Sequence, residues 1–212
     1  MPAMAYPVLI LDKNGWCPAA QQVPSPNFDA RPAGVAADLL VIHNISLPPG
    51  EFGGPYIADL FTNRLDCQAH PYFEQLRPLR VSSHFLVRRD GSLLQFVSIH
   101  DRAWHAGVSQ FEGRHGCNAF SIGIELEGSD FVPFDDRQYA TLAALTAALH
   151  DAAPLDAISG HEHIAPGRKT DPGPFFDWQR FGAALVTVGV KKPDVPPIRF
   201  VIGDVKSQDE NR

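Results

Sequence analysis

The sequence has few cysteines. Only three occur among 212 residues, at Cys17, Cys67 and Cys117, and they are widely spaced. Because no two of them form a CxxC pair, a zinc ribbon and a thioredoxin-like redox motif are both excluded. Isolated cysteines in odd number are typical of free thiols in a reducing compartment, so we do not expect disulfide bonds to support the fold.

The chain also lacks a basic excess and a long apolar run. Its 18 Lys and Arg against 24 Asp and Glu give a net charge of −6. Nucleic acids and acidic membranes bind basic surfaces, so neither is an expected partner. The apolar stretch near the amino terminus is too short for a secretory signal, and no run approaches the roughly 20 residues that span a bilayer. We therefore expect a cytoplasmic protein.

Prolines and histidines, by contrast, are plentiful. The 19 prolines predict many turns and irregular loops, since each proline fixes φ and lacks a backbone donor. The 9 histidines supply candidate nitrogen ligands for a metal. A length of 212 residues, 44% of them apolar, suits one globular domain with a sizeable core.

Two segments have the patterns of buried strands and end in residues that can do chemistry. The continuous apolar run over 39–42 is typical of a strand buried on both faces, and His43 follows it. Residues 119–127 alternate, so one face is apolar and the other carries small residues that lead to Glu125 and Glu127. This small-residue face leaves room above it for another group.

The other elements follow from helical spacing and turn signals. The clearest helix is predicted over 135–152, where Asp135 and Gln138 suit a capping box. Interleaved strands and helices predict an α/β single domain with a mixed central β-sheet flanked by α-helices. The further predicted elements are an irregular lead-in over 22–34, helices over 56–65 and 177–187, a hairpin over 82–97 that turns at Asp90-Gly91, and a short strand over 157–159.

The domain is predicted to cover residues 1–187. Residues 188–212 are rich in prolines and charges, and we interpret them as a partly flexible C-terminal extension. Part of this extension is expected to pack as an extended segment.

Three potential metal ligands follow or lie beyond predicted elements: His43, His161 and Asp171. Zinc hydrolases commonly use three His and carboxylate ligands and leave a fourth position for water. These three residues are far apart in sequence, and no HExxH-like signature fixes them. Spacing alone therefore leaves a zinc site as one hypothesis among others.

Two further groups would complete a hydrolytic site. Glu125 is suited to accept a proton from water and deliver it to a leaving amine, and Lys169 is suited to stabilise an oxyanion. Two alternatives stay open on the residues alone. His163 competes with His161, and an extended backbone would send the two to opposite sides. Glu127 shares the face of Glu125, so periodicity does not choose between them.

Longer motifs carry a family resemblance. They occur in one order between about residue 22 and about residue 181: VIHNISLPPGEFGG, HPYF, VSSHFLVRRDG, RAWHAGVS, FSIGIELEG, GHEHIAPGRKTDPGP and FDW. Together they resemble the AmpD type of 1,6-anhydro-N-acetylmuramyl-L-alanine amidase. This type is a branch of the zinc amidase superfamily, which also contains peptidoglycan recognition proteins and bacteriophage lysozyme-type amidases.

The resemblance implies a zinc amidase domain over 1–187 with a fold like that of peptidoglycan recognition proteins. It implies one zinc ion on His43, His161 and Asp171, which favours His161 over His163. The positions that it implies for catalysis are Glu125 and Lys169, and those in segments lining the substrate cleft are Asn44, Tyr72, Arg80, Trp104 and His105.

The implied reaction is hydrolysis of the lactyl amide bond between 1,6-anhydro-N-acetylmuramic acid and L-alanine. The implied partner is a small cytosolic muropeptide released in peptidoglycan recycling. One alternative is an amidase that acts on intact peptidoglycan, which would need export. Another is a noncatalytic muropeptide-binding module, although such members lose a metal ligand and all three are present here.

Overall fold

The structure is a computed structural model that describes residues 6–190 and 198–202. Its strands are β1 (Gln21–Gln22), β2 (Phe28–Ala30), β3 (Leu39–Ile45), β4 (Phe85–Val87), β5 (Leu93–Gln95), β6 (Asp101–Ala103), β7 (Gln110–Phe111), β8 (Arg114–His115), β9 (Ser121–Glu127), β10 (Ala157–Gly160) and β11 (Arg199–Phe200). Its α-helices are α1 (Tyr56–Phe61), α2 (Asp136–Ala152), α3 (His161–Ile164) and α4 (Trp178–Thr187), and 3₁₀ turns cover Pro71–Leu76 and Cys117–Ala119.

Seven strands form one mixed sheet in the order β1-β5-β4-β9-β3-β10-β11. Neighbouring strands are parallel except β4 and β5, which form the predicted antiparallel hairpin. Helices cover the sheet, so the predicted mixed sheet in a single α/β domain is confirmed. Parallel strands that are buried on both faces read as continuous apolar runs, and this explains the LLVI sequence of β3.

The main core lies between the sheet and the helices α2 and α4. The apolar alternate residues of β9, such as Ile122 and Ile124, face this side together with Leu40 and Ile42 of β3. From the helices, the core takes Tyr139, Leu142, Leu145, Leu149, Phe181 and Leu185.

The opposite face of the sheet carries two smaller apolar clusters. In one of them, α1 packs through Ile57 and Phe61 against Leu86 of β4 and Phe96. The other surrounds Leu39 and Val41 of β3 with residues that include Ala106, Phe111, Cys117, Phe120 and Ile164. The functional cavity described below opens on this same face.

The helix termini follow the predicted signals closely. Asp135 caps α2 by accepting from the backbone N–H of Arg137, and Gln138 returns a bond to the backbone N–H of Asp135. Asp177 caps α4 by accepting from the backbone N–H of Arg180. Each side chain satisfies an N–H group that a helix start leaves without an internal partner.

Two local expectations need correction. The predicted helix over 56–65 ends earlier, at Phe61, because the chain turns at Asn63, which adopts a positive φ of 59°. The irregular lead-in over 22–34 contains β2, which pairs antiparallel with β6. The pairing partner of β2 lies far along the chain, so turn-forming residues dominated the local signal.

The chain beyond residue 187 returns to the sheet. Strand β11 pairs in parallel with β10, and the ring of Phe200 lies 5.8 Å from that of Phe181 and 6.1 Å from that of Trp178. Arg199 forms ion pairs with Glu112 and Asp156. The boundary at residue 187 stays a prediction, and the remaining parts of the expected extension, 191–197 and 203–212, lie outside the described residues.

No helix in the described part of the chain has both the length and the apolarity needed to span a bilayer.

The packing of Phe200 predicts a measurable contribution to stability. We expect Phe200→Ala to lower the free energy of unfolding by about 2 kcal/mol, which is less than the roughly 3–5 kcal/mol of a fully buried phenylalanine because this ring is only partly buried. Urea unfolding followed by circular dichroism measures the change. Phe131→Ala is the matched control, since Phe131 is 84% exposed. Equal losses in the two variants would contradict a structural role for β11.

Candidate metal centre and active site

Three parallel strands deliver their side chains to one edge of the sheet. His43 lies near the end of β3, and the strand register places Glu125 of β9 directly beside it. Strand β10 ends at Gly160, so His161 follows at the same edge. The carboxyl ends of parallel strands are where open α/β sheets bind ligands, and this topology brings distant residues together.

His161 is the first residue of the short helix α3, which replaces the extended geometry that we expected around His161 and His163. The helical turn still separates the two rings. His163 accepts the backbone N–H of Gly160 through Nδ1 at 3.2 Å and faces Trp178. His161 turns instead toward His43. The two rings are thus separated by a helical turn and not by the extended backbone that we expected, while the choice of His161 as the ligand rests on the family resemblance.

Asp171 reaches the site on a loop that is tied down at two points. Its backbone carbonyl accepts the N–H of Glu162 at 2.8 Å. The amide of Asn44 donates to the carbonyl of Pro172 at 3.0 Å and to Asp130 Oδ1 at 2.7 Å. The loop that carries the carboxylate is thus fixed to α3 and to β3, and Asp130 holds the Asn44 amide in place.

His43, His161 and Asp171 converge through three ligand atoms. His43 Nδ1, His161 Nδ1 and Asp171 Oδ2 are each 3.0 Å from the other two. Both histidines are almost fully buried, and the Asp171 side chain is 14% exposed. Two imidazoles and one carboxylate form the donor set of many catalytic zinc sites, which keep one position open.

Hydrogen bonding shows that this set fits a cation. His161 Nε2 lies 3.0 Å from the carbonyl oxygen of Ala106, which only accepts, so this nitrogen carries the ring proton. His161 Nδ1 therefore presents a lone pair to Asp171 Oδ2, also an acceptor, at 3.0 Å. Two acceptors at this distance repel each other, and a shared cation removes the repulsion. The group can therefore hold a metal ion.

The ionisation states agree with metal binding. Burial lowers the pKa of His43 to about 4, although the neighbouring Asp171 carboxylate opposes the change. For Asp171, burial alone would raise the pKa, but the adjoining rings of His161 and His43 outweigh it and hold the pKa below its usual value. Neutral imidazole and ionised carboxylate are the forms that bind metals.

Glu125 is a buried acid next to this group. Burial raises its pKa well above the usual value, the charge of Asp171 adds to the rise, and Lys169 opposes it. Its Oε2 is buried and has no hydrogen-bond partner within the described residues. A carboxyl group with a raised pKa can take up and release a proton near neutral pH, which is what general acid–base catalysis requires.

Glu127, the alternative acid, is already engaged elsewhere. Its two carboxylate oxygens accept the backbone N–H groups of Gly53 at 2.6 Å and Arg89 at 3.0 Å. Glu127 thereby fastens the loop after β3 to the β4–β5 turn. The geometry favours Glu125 as the acid of the site.

One cavity of about 430 Å³ contains these groups, a volume typical of small-molecule sites. Its polar lining includes Glu125, Lys169 and the three ligand residues. Its apolar and aromatic lining consists of Ile45, Leu47, Pro49, Leu60, Phe61, Tyr72, Leu76, Leu79, Val81 and Trp104.

Of the five residues expected to line the cleft, four lie on the cavity: Asn44, Tyr72, Trp104 and His105. Tyr72 is 38% exposed and comes from the 3₁₀ turn Pro71–Leu76. The structure does not bring Arg80 in, because its exposed guanidinium donates to the carbonyls of Arg77 and Leu79. A substrate contact by Arg80 stays a prediction.

Sequence reasoning missed two residues that shape the site. Asp130 holds Asn44, and Arg168 donates to the carbonyls of Ala106 at 2.7 Å and Val108 at 2.6 Å. Asp130 had no local signal, since its partner lies 86 residues away. Arg168 stands beside Lys169 in the RKTDPG motif, which was the one available hint.

The fold and the donor set define a class, namely α/β proteins that can hold one metal ion beside a buried acid at the end of parallel strands. A family model for N-acetylmuramoyl-L-alanine amidases matches residues 33–174, well over half of the chain. The chain belongs to the N-acetylmuramoyl-L-alanine amidase family.

Similar proteins within this family carry a more specific name. The 1,6-anhydro-N-acetylmuramyl-L-alanine amidase AmpD of Escherichia coli strain K12 is 58% identical over 174 residues, 81% of this chain and 95% of that protein. AmpD of Haemophilus influenzae is 52% identical over 164 residues, 76% of this chain and 89% of that protein.

Solved structures agree with the fold. The crystal structure of a selenomethionine derivative of AmpD superposes with a TM-score of 0.81 at 56% identity, and the match covers 83% of this chain and 99% of that one. A complex of the Escherichia coli amidase AmiD with anhydro-N-acetylmuramic acid-L-Ala-D-γ-Glu-L-Lys has a TM-score of 0.50 at 28% identity, covering 82% and 65% of the two chains.

The ligand assignment predicts different outcomes for two neighbouring histidines. His161→Ala removes one of three converging donors, so we expect it to lose stoichiometric zinc. His163→Ala removes a ring that lies outside the three-donor group and contacts Gly160, Glu162 and Trp178, so we expect it to keep one zinc per chain. Elemental analysis after dialysis against dilute zinc measures both. Zinc loss in His163→Ala with retention in His161→Ala would reverse the assignment.

Proposed function

We propose that the chain is a zinc-dependent amidase that hydrolyses the lactyl amide bond between 1,6-anhydro-N-acetylmuramic acid and L-alanine in muropeptides, within peptidoglycan recycling. One observation carries this proposal. His43, His161 and Asp171 form a three-donor group that could hold a metal ion, and the buried Glu125, whose pKa is raised, lies in register beside His43. The high identity with AmpD proteins over most of the chain supports the same reaction. The cytoplasmic location expected from the sequence belongs to this proposal.

His43, His161 and Asp171 would hold the zinc ion. When bound there, zinc supplies Lewis acidity, which polarises a carbonyl group and makes water more acidic. The two imidazoles and the single carboxylate supply one negative charge, so a divalent ion held there would keep a net positive charge.

Glu125 would carry out both proton transfers of the reaction. Its carboxylate takes a proton from the attacking water, whose oxygen forms a bond with the lactyl carbonyl carbon. Glu125 then delivers this proton to the alanine nitrogen as the C–N bond breaks. The products are a free lactyl carboxyl group on the sugar and a peptide with a free amino terminus. Burial suits Glu125 to both steps, because it raises the pKa of the carboxyl group above its usual value.

Lys169 lines the same cavity, on the loop that also carries Asp171. Its ammonium group would stabilise the negative charge that develops on the carbonyl oxygen during attack. The exposed position of Lys169 keeps it hydrated until a substrate covers it.

The apolar part of the cavity lining suits the less polar anhydro sugar. An anhydro bridge removes two hydroxyl groups from the muramyl ring, which makes that part of the ligand less polar. Tyr72 and Trp104 supply aromatic rings to the lining of the same cavity, and such rings suit the less polar part of the sugar. The related AmiD was solved with a ligand of this kind, an anhydro-N-acetylmuramic acid tripeptide.

The catalytic assignment predicts the behaviour of Glu125→Gln. We expect kcat on anhydromuramyl tripeptide to fall by a factor of about 10²–10⁴, the usual contribution of a general acid–base group. Zinc content should stay at one per chain, because Glu125 is not one of the three donors. Mass analysis of products with and without a chelator measures the reaction. Full turnover in Glu125→Gln would exclude this role while leaving the metal assignment intact.

The same assay separates the rival functions. An amidase for intact peptidoglycan would cleave ordinary muramyl peptides as fast as the anhydro form. A noncatalytic binding module would bind the zinc and the tripeptide and leave the amide bond whole. The proposal requires faster cleavage of the anhydro substrate, and it fails if the zinc-loaded protein leaves that substrate intact.

A further inference from the structure

His105 lies beside the proposed metal ligand His43, and both of its ring nitrogens are engaged. His105 Nδ1 is 2.9 Å from His43 Nε2, and His105 Nε2 is 3.1 Å from the hydroxyl of Ser121. His105 and Ser121 are both buried. The Ser121 hydroxyl in turn bonds the carbonyl oxygen of Cys117 at 2.6 Å.

The direction of every hydrogen bond in this row is fixed from its far end. The Cys117 carbonyl has no proton, so the Ser121 hydroxyl donates to it. The Ser121 oxygen must then accept from His105 Nε2–H. In a neutral ring this leaves His105 Nδ1 as an acceptor, which takes the Nε2–H of His43. The remaining nitrogen, His43 Nδ1, is left with a free lone pair.

That lone pair belongs to the atom that faces His161 and Asp171 at 3.0 Å. The row of hydrogen bonds therefore fixes the tautomer of His43, because it determines which nitrogen of that ring carries the proton. Both rings are buried, and burial disfavours the charged form of imidazole.

The sequence of β9 is adapted to this arrangement. Ser121 and Gly123 lie on the small-residue face of the strand, and the ring of His105 covers it. A Cβ atom at Gly123 would lie 2.5 Å from the His105 ring, closer than any side chain tolerates. Gly123 therefore admits the ring, and Ser121 supplies its hydrogen-bond partner.

We propose that His105 and Ser121 are positioning residues that hold His43 in the tautomer whose Nδ1 binds the metal. The inference rests on the proposed role of His43 as a zinc ligand. It differs from the expected role of His105 in substrate contact, because neither nitrogen of that ring is free for a ligand. His161 reaches the same state more directly, since its Nε2–H donates to a backbone carbonyl. The His43 ligand is thus the one that depends on side chains.

The first test compares two buried serines. Ser121→Ala removes the acceptor for His105, so we expect zinc affinity to fall about 10–100-fold, as for other partners of metal-bound histidines. Ser83→Ala is the matched control: Ser83 is also fully buried and donates to a backbone carbonyl, that of Gly123, at 2.7 Å, but it lies outside the row. Its zinc affinity should stay that of the wild type. Competition with a chelator measures both dissociation constants.

A second pair of variants keeps the test sharp if Ser121→Ala fails to fold. In His105→Asn the amide oxygen stands near the former Nδ1 and can still accept from His43. We therefore expect this variant to keep most of the wild-type zinc affinity. His105→Leu has the same size and no acceptor, so we expect the loss seen in Ser121→Ala. Equal zinc affinity in the Asn and Leu variants would show that His105 only packs, and would overturn the proposal.

Long-range ¹⁵N–¹H spectra of the histidine rings test the tautomers directly. In the zinc-loaded wild type, His43 and His105 should both carry the proton on Nε2. A proton on His105 Nδ1 would overturn the proposal. These readouts separate two failures: a wild type that binds no zinc contradicts the proposed metal site, whereas tight binding by both wild type and Ser121→Ala contradicts only the positioning role.

Discussion

The parallel pairing of β3 with β9 is the constraint on which the site depends. It aligns His43 with Glu125 over a continuous register, so a metal donor and a proton-transfer group become neighbours through backbone hydrogen bonds. Strand β10 adds His161 at the same edge. A slip of one residue between β3 and β9 would turn the polar side chains into the apolar core under α2, and the burial of that core therefore fixes the site geometry as well as the fold.

The local signals of the sequence predicted much of this fold. The apolar run of β3, the alternation of β9 and the capping pair Asp135 and Gln138 each report on their own neighbourhood, and the structure has all three. Strands β2 and β11 were harder to predict, since each is only two or three residues long and owes its existence to a partner distant in sequence. Tertiary pairing overrides weak local preference in such short segments.

The site, like the fold, has features that the sequence predicted and features that only the assembled structure shows. Spacing alone left His43, His161 and Asp171 as one hypothesis, and the long ordered motifs around them supplied the decision over His163. The alternation of β9 correctly indicated open room above its small-residue face. It gave no sign that the ring of His105 fills this room, because His105 lies in the loop after β6, outside the local sequence of β9. Bonding direction in the row from Ser121 to His43 is a property of the assembled structure.

The charge distribution links the buried row to the chemistry. Burial keeps the rings of His43 and His105 neutral. Among the three donors His43, His161 and Asp171, Asp171 is the one anion. A divalent ion on such a set retains net positive charge, which favours polarisation of a substrate carbonyl. The same Asp171 charge helps to raise the pKa of Glu125. One carboxylate thus serves both functions, and a second anion in place of His105 would weaken the Lewis acidity that the neutral row preserves.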